Sequence, residues 1–235
     1  LEDWGWAPQD MIDVQSFLWV TSNHKGAGAA DGGDVAAAIQ DALDPGSGRR
    51  IYKIAPGENA TFWPDCRTGS FICMGWDEVG DLRSFPDADG EHFPEYFRSA
   101  MGDRYLGSAA KQATGTRKAR ELWTFRHLAP GDIVVANQGM QAILAIGEVV
   151  EPGYVFDPDR SEFKHIVHVR WDDSYAKPVE TILTANERAS WGFTTLRELD
   201  REKLRALVDG RPMASEAEPA EPEEPDDYVA PPLDE

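Results

Sequence analysis

Basic residues are scarce in this chain: 23 lysines and arginines stand against 42 acids over 235 residues, a formal net charge of −19. Phosphate affinity comes from Lys and Arg neutralising backbone charge, so a balance of that sign excludes broad attraction to nucleic acid and confines any such contact to a local patch. Cysteine is scarcer still. Cys66 and Cys73 alone build neither a disulfide framework nor a zinc site, and they are read as buried thiols in a reducing cytoplasm, which is also the expected compartment. Long apolar runs are missing. The longest, 142–150, is interrupted by Gly147 and Glu148 and falls far short of the eighteen or so residues a membrane span needs. The chain holds no Gly-x4-Gly-Lys-Ser/Thr phosphate loop, no His-Glu-x2-His and no Gly-x-Ser-x-Gly elbow. His165 and His168, three apart on a predicted strand, point to opposite faces and are not read as a metal pair. No catalytic residue, metal or cofactor is therefore expected, and no membrane partner.

What remains is enough for a core. Apolar residues make up 41% of the chain, with eight Trp and ten Phe, as one or two globular domains require. Charge divides the chain into regions. From Arg211 to Glu235 there are nine acids and one base among repeated Glu-Pro and Asp-Asp, the composition of a self-repelling disordered linker or tail. Between Lys111 and His127 the balance is reversed, with Lys111, Arg117, Lys118, Arg120 and Arg126 set against Glu121. At the other end, residues 1–48 read as an extension and linker: an aromatic element at 10–20, a Gly/Ala-rich connection at 25–33, a short helix at 35–43 and a Pro-Gly hinge. The chain opens on Leu1 with no basic-then-apolar leader, so a piece of a longer polypeptide is expected.

The middle segment, 49–210, carries the periodic signals. Short β-branched and aromatic runs at 51–55, 71–76, 132–137, 142–150 and 163–171 are bounded by turn residues and predict five strands. Helices are predicted at 58–67 and 108–127, the second weakened by Gly115. Thr195 and Glu198 make a capping-box pattern that predicts a closing helix ahead of Gly210. The fold class expected is α+β, a small β-barrel of five to six strands with helices around it.

Three patterns occur in order: Tyr52-Lys53-Ile54-Ala55-Pro56-Gly57-Glu58-Asn59, Gly75-Trp76-Asp77-Glu78-Val79-Gly80-Asp81-Leu82 and Pro130-Gly131-Asp132-Ile133-Val134-Val135-Ala136-Asn137. This order resembles the EVE and YTH-like domains of the PUA superfamily, and most closely the EVE-like DNA-reading domain in front of the AAA+ motor in McrB-type modification-dependent restriction proteins. The resemblance covers about the middle half of the chain. It implies a non-catalytic specificity module that flips a modified base of double-stranded DNA (methylated or hydroxymethylated cytosine, or N6-methyladenine) into an aromatic pocket. A motor and a nuclease subunit would then belong to the parent system. RNA or a modified nucleotide is the alternative ligand, and a protein-interaction module whose aromatics are all core is a third reading.

A flipped base loses its stacking at a cost of about a few kcal/mol, and an aromatic face returns about 1–3 kcal/mol of it. Trp76, at a strand end where the related families hold a pocket tryptophan, is the first cage wall, with ordinary core packing as the competing account. Trp63 and Phe85 are further walls on the same terms. The backbone of Ala55, Pro56 and Gly57 can approach a ligand closely. Glu58 and Asn59 either read a base edge or cap a helix, and Asp81 either accepts from a base amine or pins its turn. Asn137 and Gln138 stand where a hairpin loop borders the pocket in the related families. Lys111, Arg117, Lys118, Arg120, Arg126 and Lys164, with Arg170 beyond, would meet phosphates, and Arg126 is flagged as open to burial by its flanking aromatics.

Overall fold

The computed structural model describes residues 32–211. The aromatic element at 10–20, most of the connection at 25–33 and the acidic stretch from 212 lie outside the described residues. In chain order the elements are α1 (Gly32–Ala42), β1 (Ile51–Ile54), α2 (Trp63–Gly69), β2 (Phe71–Met74), α3 (Phe93–Met101), α4 (Ala109–Arg126), β3 (Ile133–Gln138), β4 (Ala142–Phe156), β5 (His165–Asp172), β6 (Lys177–Pro178), α5 (Ala185–Phe193), β7 (Leu196–Glu198) and α6 (Arg201–Asp209). Short 3-10 turns link several of them, notably Glu58–Ala60, Asp77–Val79 and Leu82–Ser84.

The strands make one mixed sheet in the order β2-β5-β4-β3-β1-β7, with β6 added to β4. The fold is α+β. In place of the closed barrel expected from the sequence, the sheet is open, with β2 and β7 as its two ends. β1 and β3 run parallel, Ile51 opposite Ile133, whereas the other pairs are antiparallel. A parallel neighbour needs a crossover connection. Here the crossover carries α2, β2, α3 and α4.

Helices cover both faces, which is why β1 and β2 are buried at every residue, β2 reading as an unbroken apolar run and β1 as one interrupted only by Lys53. Alternate side chains enter two cores. Tyr52, Ile54 and Val134 meet Phe93, Phe97, Leu122 and Phe125, while Ile51, Ile133 and Val135 meet Val35, Ile39, Trp191, Leu204 and Leu207. α1 supplies Val35, Ala38, Ile39 and Ala42 at helical spacing to the second core. The segment expected to be an extension thus packs as part of the sheet's cover from residue 35 onward. Arg49 fastens it further, bridging Asp41 and Glu148 at 2.6 Å each.

Three element boundaries differ from expectation for local reasons. The helix expected at 58–67 breaks, because Asn59 and Ala60 take positive φ, and α2 starts only at Trp63 with Pro64 in its first turn. Thr195 and Glu198 do not cap a helix. Leu196–Glu198 is strand β7 on β1, and α6 is capped by Asp200, whose side chain accepts from the Lys203 N–H at 2.7 Å. The capping box forms instead at Thr184 and Glu187, opening α5, a helix the sequence reading did not assign.

Candidate functional site

A cavity of about 730 Å³ opens where the ends of β1, β2 and β3 meet the C-terminal end of α5, a size within the roughly 300–1,000 Å³ of small-molecule sites. Ala55 leaves β1 with its N–H on the Thr195 carbonyl at 3.0 Å, which brings the 55–59 segment beside the 191–195 segment. Gly57 is required at the bend: its φ is +79°, and a Cβ there would lie 2.6 Å from the Phe62 ring. Glu58 and Asn59 follow on the wall. From the end of β2 come Gly75, Trp76, Asp77 and Glu78, and the β3–β4 turn adds Gly139. Phe163, its ring centre 3.9 Å from that of Phe62 and its plane tilted by 34°, supplies a second aromatic face.

Trp76 is held in a left-handed backbone conformation, φ 68° and ψ 42°, which a bulky residue adopts only when its surroundings impose it. The imposing contact is a buried relay. His165 Nε2 donates to the Trp76 carbonyl at 3.2 Å, the Tyr154 hydroxyl donates to His165 Nδ1 at 2.8 Å, and the Leu82 N–H donates to the Tyr154 oxygen at 3.2 Å. Burial lowers the His165 pKa and keeps the ring neutral, with its proton on the nitrogen that faces a carbonyl. Asp77 adds a second tie by accepting from the Lys164 N–H at 2.8 Å. The indole is half-buried, with Phe97 edge-on at 6.2 Å and Lys118 Nζ 5.5 Å from its ring centre.

Behind the opposite wall runs a charged network. Lys53 is fully buried, and its Nζ donates to the carbonyls of Trp191, at 2.8 Å, and Thr194. Burial pulls its pKa from 10.5 down to about 7. A neutral amine keeps two N–H donors, enough for both carbonyls. Glu121, 5% exposed, accepts through Oε2 from Lys118 Nζ at 3.0 Å and from the Thr195 N–H at 3.2 Å. Lys118 Nζ also donates to Thr195 Oγ1 at 3.1 Å. The strand and the helix together clamp the 191–195 wall.

Charge in the cavity is lopsided. Glu58, Asp77, Glu78 and Glu162 face it against Arg104 and Lys118, and Lys118 is already paired with Glu121. Such a lining is rich in acceptors. It suits a ligand edge that presents N–H groups between aromatic walls, and it repels a phosphate.

The sequence-predicted residues divide accordingly. Ala55, Gly57, Glu58, Asn59, Trp76 and Lys118 line the cavity. Pro56 is buried behind the wall, its carbonyl accepting from the Phe62 N–H at 3.1 Å. Trp63 meets Trp171 edge-on at 5.2 Å and packs on the core. Phe85 packs against Phe93 and Tyr96, both at 5.4 Å. Neither is a cavity wall, because each finds an aromatic partner on a neighbouring element. Asp81 pins its own turn: it accepts from the Arg83 N–H at 3.0 Å and pairs with the Arg83 guanidinium, which lowers its pKa. Asn137 is fully buried at a β-bulge, and its Nδ2 donates to the Gly139 carbonyl at 2.8 Å, so it shapes the turn and touches no ligand space. Gln138 ends β3 and closes the turn by accepting from the Gln141 N–H at 2.9 Å.

Among the bases, Lys111, Arg117 and Arg120 are exposed along α4. Arg126 is not part of that surface. It pairs with Asp87 at 2.8 Å, donates to the Phe85 carbonyl and stacks 4.6 Å from the Trp123 ring centre. Lys164 Nζ donates to the Pro158 carbonyl at 2.9 Å, and Arg170 pairs with Glu148, so both serve the fold. Gly115 has a use the propensity argument hides: a Cβ there would lie 2.7 Å from Tyr105 Cβ, and only glycine lets α4 approach that residue.

Sequence reasoning missed Lys53, Trp191, Phe193, Thr194 and Thr195, and it took Glu121 only as a counter-charge. The Thr184-Glu187 pattern ahead of Trp191 was the available signal for the wall from α5. A lysine inside the apolar run 51–55 was the signal for the buried clamp.

The family model described as "Domain of unknown function (DUF8426)" matches residues 52–200, more than half of the chain, and the chain belongs to that family. No curated protein matches it.

Proposed function

We propose that this member of the DUF8426 family is a non-catalytic module that recognises a modified base in double-stranded DNA by holding it, flipped out of the helix, in the cavity beside Trp76. The fold reading that goes with it is an EVE-like one, of the PUA superfamily. The marked base is a methylated or hydroxymethylated cytosine or an N6-methylated adenine. The parent system would be a modification-dependent restriction machine whose motor and nuclease lie in other domains or subunits.

The observation that carries the reading is the convergence on one cavity of the first two sequence patterns and the turn that follows the third. The Ala55–Asn59 backbone, Trp76 and the Gly139 turn meet there, although they leave the sheet from three different strands. Trp76 and Phe163 offer stacking faces worth about 1–3 kcal/mol per base. Glu58, Asp77 and Glu78 offer acceptors to the exocyclic amine that both cytosine and adenine carry. Lys111, Arg117 and Arg120 lie on the helix that contributes Lys118 to the cavity, the placement a phosphate contact needs. A single buried methyl adds only about 0.8 kcal/mol, so discrimination must combine shape with oriented hydrogen bonds.

The test is binding of the chain, at fixed salt, to matched duplexes that carry no mark, 5-methylcytosine, 5-hydroxymethylcytosine or N6-methyladenine, with single-stranded RNA of the same sequence alongside. Preference for one marked duplex supports the reading and names the base. Preference for RNA moves the module to the RNA-reading class, and equal or absent binding across the set rejects base recognition.

A further inference from the structure

Two large apolar side chains stand in solvent beside the cavity mouth. Met140, 52% exposed, belongs to the turn between β3 and β4, and Phe193, 69% exposed, closes α5. They come from distant parts of the chain but form one patch: a Cβ on Gly192 would lie 3.2 Å from Met140 Cγ and 3.3 Å from its Sδ, so the methionine lies over the residue next to Phe193. Gly139, Gly192 and Phe193 themselves line the cavity.

Both supports of the patch are fixed from within. Asn137 is fully buried and donates to the Gly139 carbonyl, which sets the turn that presents Met140. Lys53 donates to the carbonyls of Trp191 and Thr194, on either side of Phe193. Large apolar groups on a held scaffold at the rim of a ligand cavity are placed for contact with whatever surrounds the ligand.

A base extruded from a duplex leaves an empty step, and its former neighbours each lose a stacking partner. Apolar side chains, Phe and Met among them, enter such steps as wedges. We infer that Met140 and Phe193 are the wedge of this module: they enter the DNA base stack at the step vacated by the base held in the cavity. The inference rests on the base-binding reading above. Continuity with the cavity selects this occupant, since Gly139, Gly192 and Phe193 of the patch's supports line the opening through which a flipped base must pass. The acids Glu58, Glu78 and Glu162 that line the cavity repel phosphate, whereas the uncharged patch suits the apolar base stack.

The experiment compares two ligands bearing the same marked base, a matched duplex and a single strand of identical sequence, for the wild-type chain, Met140→Ala and the double variant Met140→Ala/Phe193→Ala. A single strand has no empty step to fill. The expected result is a loss of about tenfold or more on the duplex for the double variant and an intermediate loss for Met140→Ala. On the single strand Met140→Ala, at a residue outside the cavity lining, loses less than about threefold, and the double variant, which also removes the cavity-lining Phe193, loses clearly less than on the duplex. Equal losses on the two ligands would make the pair a cavity wall and overturn the wedge, as would no loss on either. Wild-type chain that prefers neither marked ligand over its unmarked counterpart would overturn the base-binding reading itself, a failure distinct from that of the wedge.

Discussion

His165 donates a hydrogen bond through Nε2 to the main-chain carbonyl of Trp76, 3.2 Å away, and so fixes the one backbone unit that turns the indole into the cavity. The neutral ring also accepts at Nδ1 from the Tyr154 hydroxyl at 2.8 Å, and burial favours that neutral form. Protonation would put an N–H on Nδ1, so the Tyr154 hydroxyl would have to turn and accept there, and a charge would be left in a buried site.

Acid should therefore loosen the site before it unfolds the rest. Burial lowers the folded His165 pKa below its ordinary 6.5, so under acid the unfolded chain takes up a proton that the folded chain refuses. Stability from this group is complete above about pH 6.5 and falls as pH drops from there toward the folded pKa, by at most about 1.4 kcal/mol per pH unit. Urea denaturation between pH 7.5 and 5 measures it. In His165→Phe that acid sensitivity should shrink, and the lost relay should cost about 1–3 kcal/mol at neutral pH.

Lys53 gives the opposite arm of the pH profile. The unfolded chain keeps its Lys53 proton up to the ordinary 10.5, whereas the folded chain releases it near 7. Between those values the unfolded state binds more protons, so this group adds stability as pH rises from 7 toward 10. Lys53→Met should flatten that rise. It should also free the carbonyls of Trp191 and Thr194, raising hydrogen exchange across the 191–195 wall while the exchange of α3 stays as in the wild type.

Gly57→Ala tests the bend that carries Glu58 and Asn59. The new Cβ would meet the Phe62 ring at 2.6 Å in a backbone held at φ +79°, at a cost of about 1–3 kcal/mol. Calorimetry should show a Tm lower by roughly 3–10 °C. An unchanged Tm would mean that the bend is looser than described.

How far the site was legible in the sequence follows from which forces are local. β1, β2 and β3 were legible because a sheet buried on both faces favours short runs of β-branched and aromatic residues between turns, and α4 was legible from the apolar residues Ala109, Ala113, Leu122 and Phe125. Trp76 was legible as a strand-end aromatic before a glycine-rich turn. α5 was not, because it buries only Trp191 and has no apolar stripe to count. The choice between Thr184-Glu187 and Thr195-Glu198 as the capping box turns on strand β7 pairing with β1, some 145 residues away in sequence, which no window of residues contains. The same holds for Trp63 and Phe85. Their partners, Trp171 and Phe93, come from other elements, and only tertiary packing separates a core aromatic from a cage wall.

The exposed bases on α4 should act through charge alone. Lys111→Gln/Arg117→Gln/Arg120→Gln should weaken binding of marked and unmarked duplexes alike, and should lower the slope of log affinity against log salt by about 2–3. Loss confined to the marked duplex would place these side chains at the base instead.

The central claim is tested most directly by the affinity ratio between a marked and an unmarked duplex for the wild-type chain and for Trp76→Ala, with the Tm of both recorded. Stacking worth about 1–3 kcal/mol corresponds to roughly 5–150-fold in affinity for a flipped base. Because the indole also gives the cage its shape, the account expects a clear wild-type preference that collapses to about twofold or less in a folded Trp76→Ala. A preference that survives the loss of the indole, or a wild-type chain with none, would contradict it.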